Sequence, residues 1–505
     1  MEEFTSLKHS NLSTYRFQFL AKLGKPTNRF MKKIFLGLVL ILVALAAILL
    51  FNTFQLSSKQ VAAEPIEKLE ISDDVFLNLS KAIQFQTISY SEDAVPDSAA
   101  FFGFHRFLAE TFPLTHANLT LEKISDYSLI YKWEGSDASK KPIILLSHQD
   151  VVPVDEPTLG DWEAAPFEGK ITDTHIIGRG TMDDKGTLVG LLEAVEKLLS
   201  ESFVPSRTFY LAFGHDEEVG GGNGAVKIAA HLKAKGVEAA MTIDEGGFIA
   251  ENMIPGVEKP VAMINLAEKG FASFRLIVET NGGHSSAPPR ENTIGILAQA
   301  IVDLENNQLP YKMVKPIDAQ LEYLGAELPF FTKLAFANPW LFKKPILESL
   351  NAHTTTAPTI IDGGVKNNVI PTVAEATVNF RILPGETIES VKAHIEKTVS
   401  EKVRVEPVGH LTNPSPVSTV ESEAFQILAK TIRSQNPDAL VVPGLLGGGT
   451  DSRNFYDISE EVYRFYPIRI NPESMTRFHG IDEKISKENY KEIIEFSYLL
   501  IKNFN

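Results

Sequence analysis

The sequence predicts an α/β protein: a mostly parallel central sheet flanked by helices, an inserted α+β domain, and a single N-terminal transmembrane helix. Three observations predict it. The short apolar runs 142–147, 207–213 and 240–243 look like strands buried on both faces. Between the first two, Leu188, Leu191, Leu192, Val195, Leu198 and Leu199 recur at helical spacing. Residues 34–51 are 18 consecutive apolar residues with one glycine and no charge.

That last run has the length of a bilayer-spanning helix and lacks the polar face of a core helix. Lys8, Arg16, Lys22, Lys25, Arg29, Lys32 and Lys33 precede it, against only Glu2 and Glu3. The positive-inside rule therefore puts residues 1–33 in the cytoplasm as a basic tail and the rest of the chain outside. The rival is a signal peptide starting at Met31 and cut after the small residues near Ala63, which would make the protein secreted. The run exceeds the usual apolar core of a signal, which favours an uncleaved anchor. Sequons stand at Asn11, Asn78 and Asn118.

Residues 52–70 read as a polar linker, and 71–267 as the first part of the α/β domain. Over 268–385 the pattern changes: 272–279 and 374–383 alternate like half-exposed antiparallel strands, the second closed by Pro384 and Gly385. This is the inserted α+β domain, and 386–505 returns to the first. The insert holds an aromatic stretch that includes Phe330, Phe331, Trp340 and Phe342.

Composition narrows the chemistry. Among 505 residues, 64 acidic side chains outweigh 48 basic ones, a net charge of −16 that leaves no basic footprint for nucleic acid. The chain has no cysteine, so disulfides, thiolate metal sites and a cysteine nucleophile are all excluded. Any metal must be held by His, Asp and Glu.

Such residues stand where an α/β sheet places its sites, beyond the carboxyl ends of the strands. The first strand ends on His148-Gln149-Asp150, the second on His215-Asp216-Glu217-Glu218, and the third on Asp244-Glu245. A fourth cluster, Asp183-Asp184, opens the helix between the first two strands. An oxygen- and imidazole-rich set suits zinc, with manganese or cobalt as alternatives, and two adjacent ions need a bridging carboxylate. Glu245 competes with Asp244 as a ligand; Asp244 is favoured because it follows the strand directly.

The series His148-x-Asp150, Gly178-Arg-Gly-Thr-x-Asp183-Asp184-Lys-Gly186, Glu217-Glu218 and Asp244 resembles the co-catalytic zinc aminoacylase and carboxypeptidase family, clan MH, from residue 75 to the C-terminus. Stretches 283–289, 338–342, 377–382, 463–467 and 479–486 are most similar to its carboxypeptidase S branch, and there to the N-fatty-acyl-amino-acid synthase/hydrolases. The chain departs from those secreted relatives at its start, so secretion does not carry over.

The resemblance implies a hydrolase with two zinc ions per subunit. His148, Asp183 and Asp244 would hold one ion; Asp183, Glu218 and His479 the other, with Asp183 bridging. Asp150 would hydrogen-bond the far nitrogen of His148, and Glu217 would serve as general base to the metal-activated water. A cis bond is expected between Asp183 and Asp184. From the insert, acting as lid and dimerisation domain, His284 would reach the developing oxyanion, often across a homodimer. Asn368 and Arg381 would read the substrate carboxylate beside the loop of Gly449 and Thr450. The aromatic stretch fits core or dimer packing, or alternatively an acyl pocket.

Two substrate readings sit inside this class: hydrolysis, with reversal, of N-fatty-acyl amino acids, and release of C-terminal amino acids from short peptides. A non-catalytic binding module predicts loss of a ligand or of the base, and none is missing. A bitopic structural anchor accounts for the apolar run but for none of the strand-end acids.

Overall fold

The computed structural model describes residues 28–505, so most of the basic tail, and the sequon at Asn11, lie outside the described residues. The N-terminal helix Asn28–Gln55 carries the apolar run. Among the described residues, one helix segment, Met31–Gln55, is long and apolar enough to cross a membrane.

The three strands read from the sequence are Ile143–His148, Phe209–Gly214 and Ala239–Asp244. The first two bury every residue, as parallel strands covered on both faces must. Together with Ser459–Arg464 they form the parallel centre of a ten-stranded sheet. The sheet as a whole is mixed rather than mostly parallel. The hairpin Thr120–Ile124/Ser128–Trp133 adds antiparallel strands at one margin, turned through Ser125 and Asp126 with φ of 49° and 67°. At the other, Val261–Glu268 runs antiparallel to its neighbours Ser459–Arg464 and Ile249–Ala250. The helix Lys185–Ser200 buries its leucine stripe on the sheet and packs on Lys487–Asn503. Gly190 permits that approach, because a Cβ there would lie 2.9 Å from Ile493.

The second sheet is fully antiparallel, in the order Thr355–Gly363, Val373–Ile382, Gly270–Glu279, Val403–Thr412. Ala272, Phe274, Leu276 and Val278 alternate into a core shared with Leu297 and Leu304 of the helix Thr293–Asn306. The expected return to the first sheet at 386 is not where the chain makes it. Pro384 and Gly385 lead into the capped helix Ile388–Thr398, whose Val391 and Ile395 join the same core, and Val403–Thr412 then forms the sheet's edge. Conversely, Leu324 and Leu328 inside the expected insert pack on Val261, Leu440 and Val442 of the first sheet.

Residues 56–70, within the expected polar linker, are bonded to the domain. Gln60 pairs through its side chain with both backbone groups of Val441, and Leu69 N–H donates to Glu495 at 2.6 Å. Polar composition concealed this, because backbone and amide pairing leaves no hydrophobic pattern.

Candidate metal centre

The strand ends converge as a fold of this kind requires. His148, the buried last residue of its strand, lies with Nε2 3.0 Å from Asp183 Oδ1. The other oxygen of Asp183 is 3.1 Å from His479 Nε2, and that nitrogen is 3.2 Å from Glu218 Oε2. One carboxylate thus stands between two imidazoles. His479 adopts φ 57°, the left-handed region that non-glycine residues seldom enter and that clusters at functional sites. The Asp183–Asp184 peptide bond is cis.

Each ligand candidate is held by a neighbour. His148 Nδ1 lies 3.0 Å from the backbone carbonyl of Asp150 and 3.4 Å from its carboxylate, which fixes the tautomer that leaves Nε2 free. The Asp150 carboxylate also accepts the backbone N–H groups of Glu217 and Glu218, at 3.2 and 3.1 Å. It therefore aims the two glutamates that follow the second strand. Although burial alone would raise the Asp150 carboxyl, its bond to His148 and that ring's charge hold it below the usual range. Asp184 Oδ2 takes the Ser147 hydroxyl and, at 3.3 Å, the His148 N–H, so it braces the strand end, while its buried Oδ1 has no hydrogen-bond partner.

The placement of Asp244 differs from the sequence expectation. Its Oδ2 accepts the Ser452 N–H at 2.7 Å, whereas Glu245 Oε1 lies 3.5 Å from His148 Nε2. Asp244 is the last residue of its strand, and Glu245 lies just beyond it, where the chain bends.

The donor set fits a cationic group. His148, Asp183 and Glu218 bring ligand atoms within 4.8 Å of one another, and so do His148, Asp184 and Glu245. Burial and mutual repulsion act on this crowd. The Glu218 carboxyl is pushed up to about 7 by burial and the Asp183 charge, and one of its oxygens has no hydrogen-bond partner. Glu245 is pushed well up by burial and Asp183, and Glu217 by burial and Glu245. His479 is raised to about 10 by its bonds to Asp183 and Glu218. Positive charge at this point relieves all of these at once.

The remaining sequence candidates lie elsewhere. His284 is exposed on the short pair Gly283–His284/Val369–Ile370, bonded to Ser286 Oγ at 2.8 Å, with no hydrogen bond to the cluster among the described residues. Asn368 joins it there, its carbonyl accepting from Ser285 N–H at 3.2 Å. The Arg381 guanidinium lies 4.8 Å over the Phe271 ring, its Nη1 3.5 Å from the Gly447 carbonyl, beside the loop of Gly449 and Thr450. Thr450 is committed to the fold: its hydroxyl donates to the buried Glu268 at 2.7 Å.

Two further carboxylates carry roles that the sequence reading did not assign, although Glu483 lies in the stretch 479–486. Glu483 Oε1 accepts the N–H groups of Gly180, Met182 and Asp183 at 3.0, 2.8 and 3.2 Å, and its Oε2 takes Arg179 at 2.7 Å. It shapes the loop that presents Asp183. Glu268 gathers Thr450, Ser452, Arg453 and Arg464 and so shapes the loop beside Asp244. Glu483 stands four residues after His479, a spacing that hinted at a role without showing that its partners are backbone amides.

Comparison with known proteins gives likenesses over most of the chain. A model of peptidase family M20/M25/M40 matches residues 144–503. A probable carboxypeptidase S-like protein of Dictyostelium discoideum is 39% identical over 484 residues, 92% of this chain and 92% of its own. The N-fatty-acyl-amino acid synthase/hydrolase of Homo sapiens is 40% identical over 439 residues, 84% of this chain and 86% of its own. An M20 family metallo-carboxypeptidase from Sulfolobus solfataricus has a solved structure that superposes with TM-score 0.64 at 20% identity, over 86% of this chain and 99% of that one, a likeness of fold.

Proposed function

Since the chain belongs to peptidase family M20/M25/M40 and is a metal-dependent hydrolase, we propose that it uses two zinc ions to cleave, and reversibly form, the amide of N-fatty-acyl amino acids. The observation that carries the two-ion reading is Asp183, with one oxygen toward His148 and the other toward His479, the disposition of a bridging carboxylate. His148, Asp183 and Glu245 would hold one ion, and Asp183, Glu218 and His479 the other. Bound there, the ions supply the Lewis acidity that makes water nucleophilic near neutral pH and polarises the scissile carbonyl.

The chain's own residues do the rest. Glu217, beside the cluster yet outside the ligand set, takes the proton from the attacking water and returns it to the leaving amine. Asp150 keeps Glu217 aimed through its backbone N–H. Arg381, with Asn368, receives the carboxylate of the amino acid product. His284, exposed in the single chain, reaches the oxyanion of a second subunit's site, which makes the working form a homodimer through the second sheet. The apolar helix anchors the enzyme with its catalytic part outside the cytoplasm.

The substrate class rests on the 40% identity to the human synthase/hydrolase. The second reading, release of C-terminal amino acids from short peptides, is favoured by the longer match to the Dictyostelium protein. The test incubates the full chain, in detergent with zinc, with equimolar N-oleoyl-phenylalanine and a blocked Gly-Leu dipeptide. Preferential release of phenylalanine is expected. Preferential release of leucine makes it a carboxypeptidase, and silence toward both overturns the substrate class.

A further inference from the structure

The apolar helix does not stand clear of the domain. The buried Asn338 donates from Nδ2 to the Leu49 carbonyl at 3.1 Å and accepts from Asn52 Nδ2 at 2.8 Å. Trp340 Nε1 shares the same Asn338 oxygen at 3.3 Å. A Cβ on Gly325 would lie 3.2 Å from Leu56, and Lys59 pairs with Glu322 at 2.6 Å. The helix end is therefore seated on the helices Lys315–Gly325, Phe330–Phe336 and Pro339–Ser349.

The level of that contact matters. As a helix, the 34–51 run extends about 27 Å, close to the hydrocarbon thickness of roughly 30 Å. Leu49 lies inside this run, about 3 Å of helical rise before its last residue. A domain bonded to the Leu49 carbonyl thus places its contacting helices where hydrocarbon gives way to headgroups.

The helices seated there carry apolar, exposed side chains. Phe331 is 84% exposed, Trp340 58%, and Phe330 and Leu341 46% each, while Phe330–Phe336 buries none of its residues. They continue the surface of the helix itself, where Phe51 and Phe54 are exposed. Aromatic rings with a polar tip favour this boundary. Core packing does not describe a patch so open, and dimer packing is the alternative that the test below separates.

We propose that Phe330, Phe331, Trp340 and Leu341 form a lipid-seating surface that rests in the outer leaflet of the bilayer spanned by the helix, fixing the attitude of the catalytic domain to the membrane. This rests on the reading of the helix as an anchor. A leaflet rather than a second copy is the occupant because the patch is continuous with the span, so whatever surrounds the span surrounds the patch.

Trp340 is the natural probe, since Trp133 and Trp162 are buried. The full chain is reconstituted in phosphatidylcholine–phosphatidylserine vesicles with lipids carrying a doxyl quencher at a shallow or a deep acyl position. Tryptophan emission is expected to fall, more with the shallow label, and the loss is expected to vanish in Trp340→Phe. Phe331→Glu, which retains the probe, is expected to weaken the quenching while zinc content stays unchanged. A chain that resists carbonate extraction yet shows no Trp340 quenching overturns the proposal and leaves the anchor standing. A chain that carbonate removes overturns both. Trp340 shielded from lipid quencher and aqueous iodide alike, in a dimer, assigns the patch to a second copy and overturns the proposal.

Discussion

Glu245 Oε1 lies 3.5 Å from His148 Nε2, while Asp244, one residue earlier, is turned to the Ser452 N–H at 2.7 Å. The two acids share a strand end and serve different neighbours. Glu245→Ala is therefore expected to lose one equivalent of zinc and at least about 100-fold in kcat/KM, and Asp244→Asn to keep both equivalents with affinity weakened about 10–100-fold. Metal analysis after gel filtration decides; the reverse pattern returns the ligand role to Asp244.

Glu217→Gln preserves shape and removes the base. Zinc content is expected to stay at two per chain while kcat falls about 10²–10⁴-fold. Unchanged kcat with full zinc would end the general-base assignment.

Glu483→Gln leaves Arg179 buried without its carboxylate and weakens the clamp on three backbone amides. Removing one partner of a buried pair costs about 3–5 kcal/mol, and a supporting group about 10–100-fold in metal affinity. Denaturant unfolding and chelator competition read the two effects separately. Loss of stability with unchanged zinc affinity would make Glu483 purely structural.

The buried His105 ring, bonded to Gln149 Oε1 at 2.9 Å, is lowered by burial to about 4 from the ordinary 6.5. The unfolded chain therefore takes up this proton first as pH falls, and stability present above pH 6.5 is lost on the way to pH 4. His105→Gln keeps a donor to Gln149 and removes the titration. The variant is expected to lose about 1–3 kcal/mol less than the parent across that window in urea unfolding. Equal losses would refute it.

Much of this was legible in the sequence because burial on both faces leaves an unbroken apolar run, and the residue ending such a run lies at a site edge. The clusters at His148–Asp150 and Glu217–Glu218 were picked out in that way, the Asp183 loop by its place at the start of a helix, and the roles of all three by resemblance. The choice between Asp244 and Glu245 was not legible, since the strand ends between them and the bend that follows leaves no periodic pattern. Glu483 and Glu268 stayed hidden for a different reason. Their partners are backbone amides and distant arginines, and neither leaves a local pattern. The end of the second sheet was misplaced because Pro384-Gly385 closes a strand in sequence terms, while the cap at Thr387 and the burial of Val391 and Ile395 keep the chain in the same core. Residues 330–342 were read from their aromatic content, and only their seat against Leu49 gives that content a direction.

The bond between Asp183 and His479 spans 296 positions of the chain. Its consequence is one of timing. Synthesis runs from the amino end, and a nascent chain has released His148, Asp183, Glu217, Glu218 and Glu245 long before His479 leaves the ribosome. On the proposed ligand set, the half-made enzyme lacks one arm of its centre throughout that interval, so hydrolytic competence arrives with the last stretch of polypeptide.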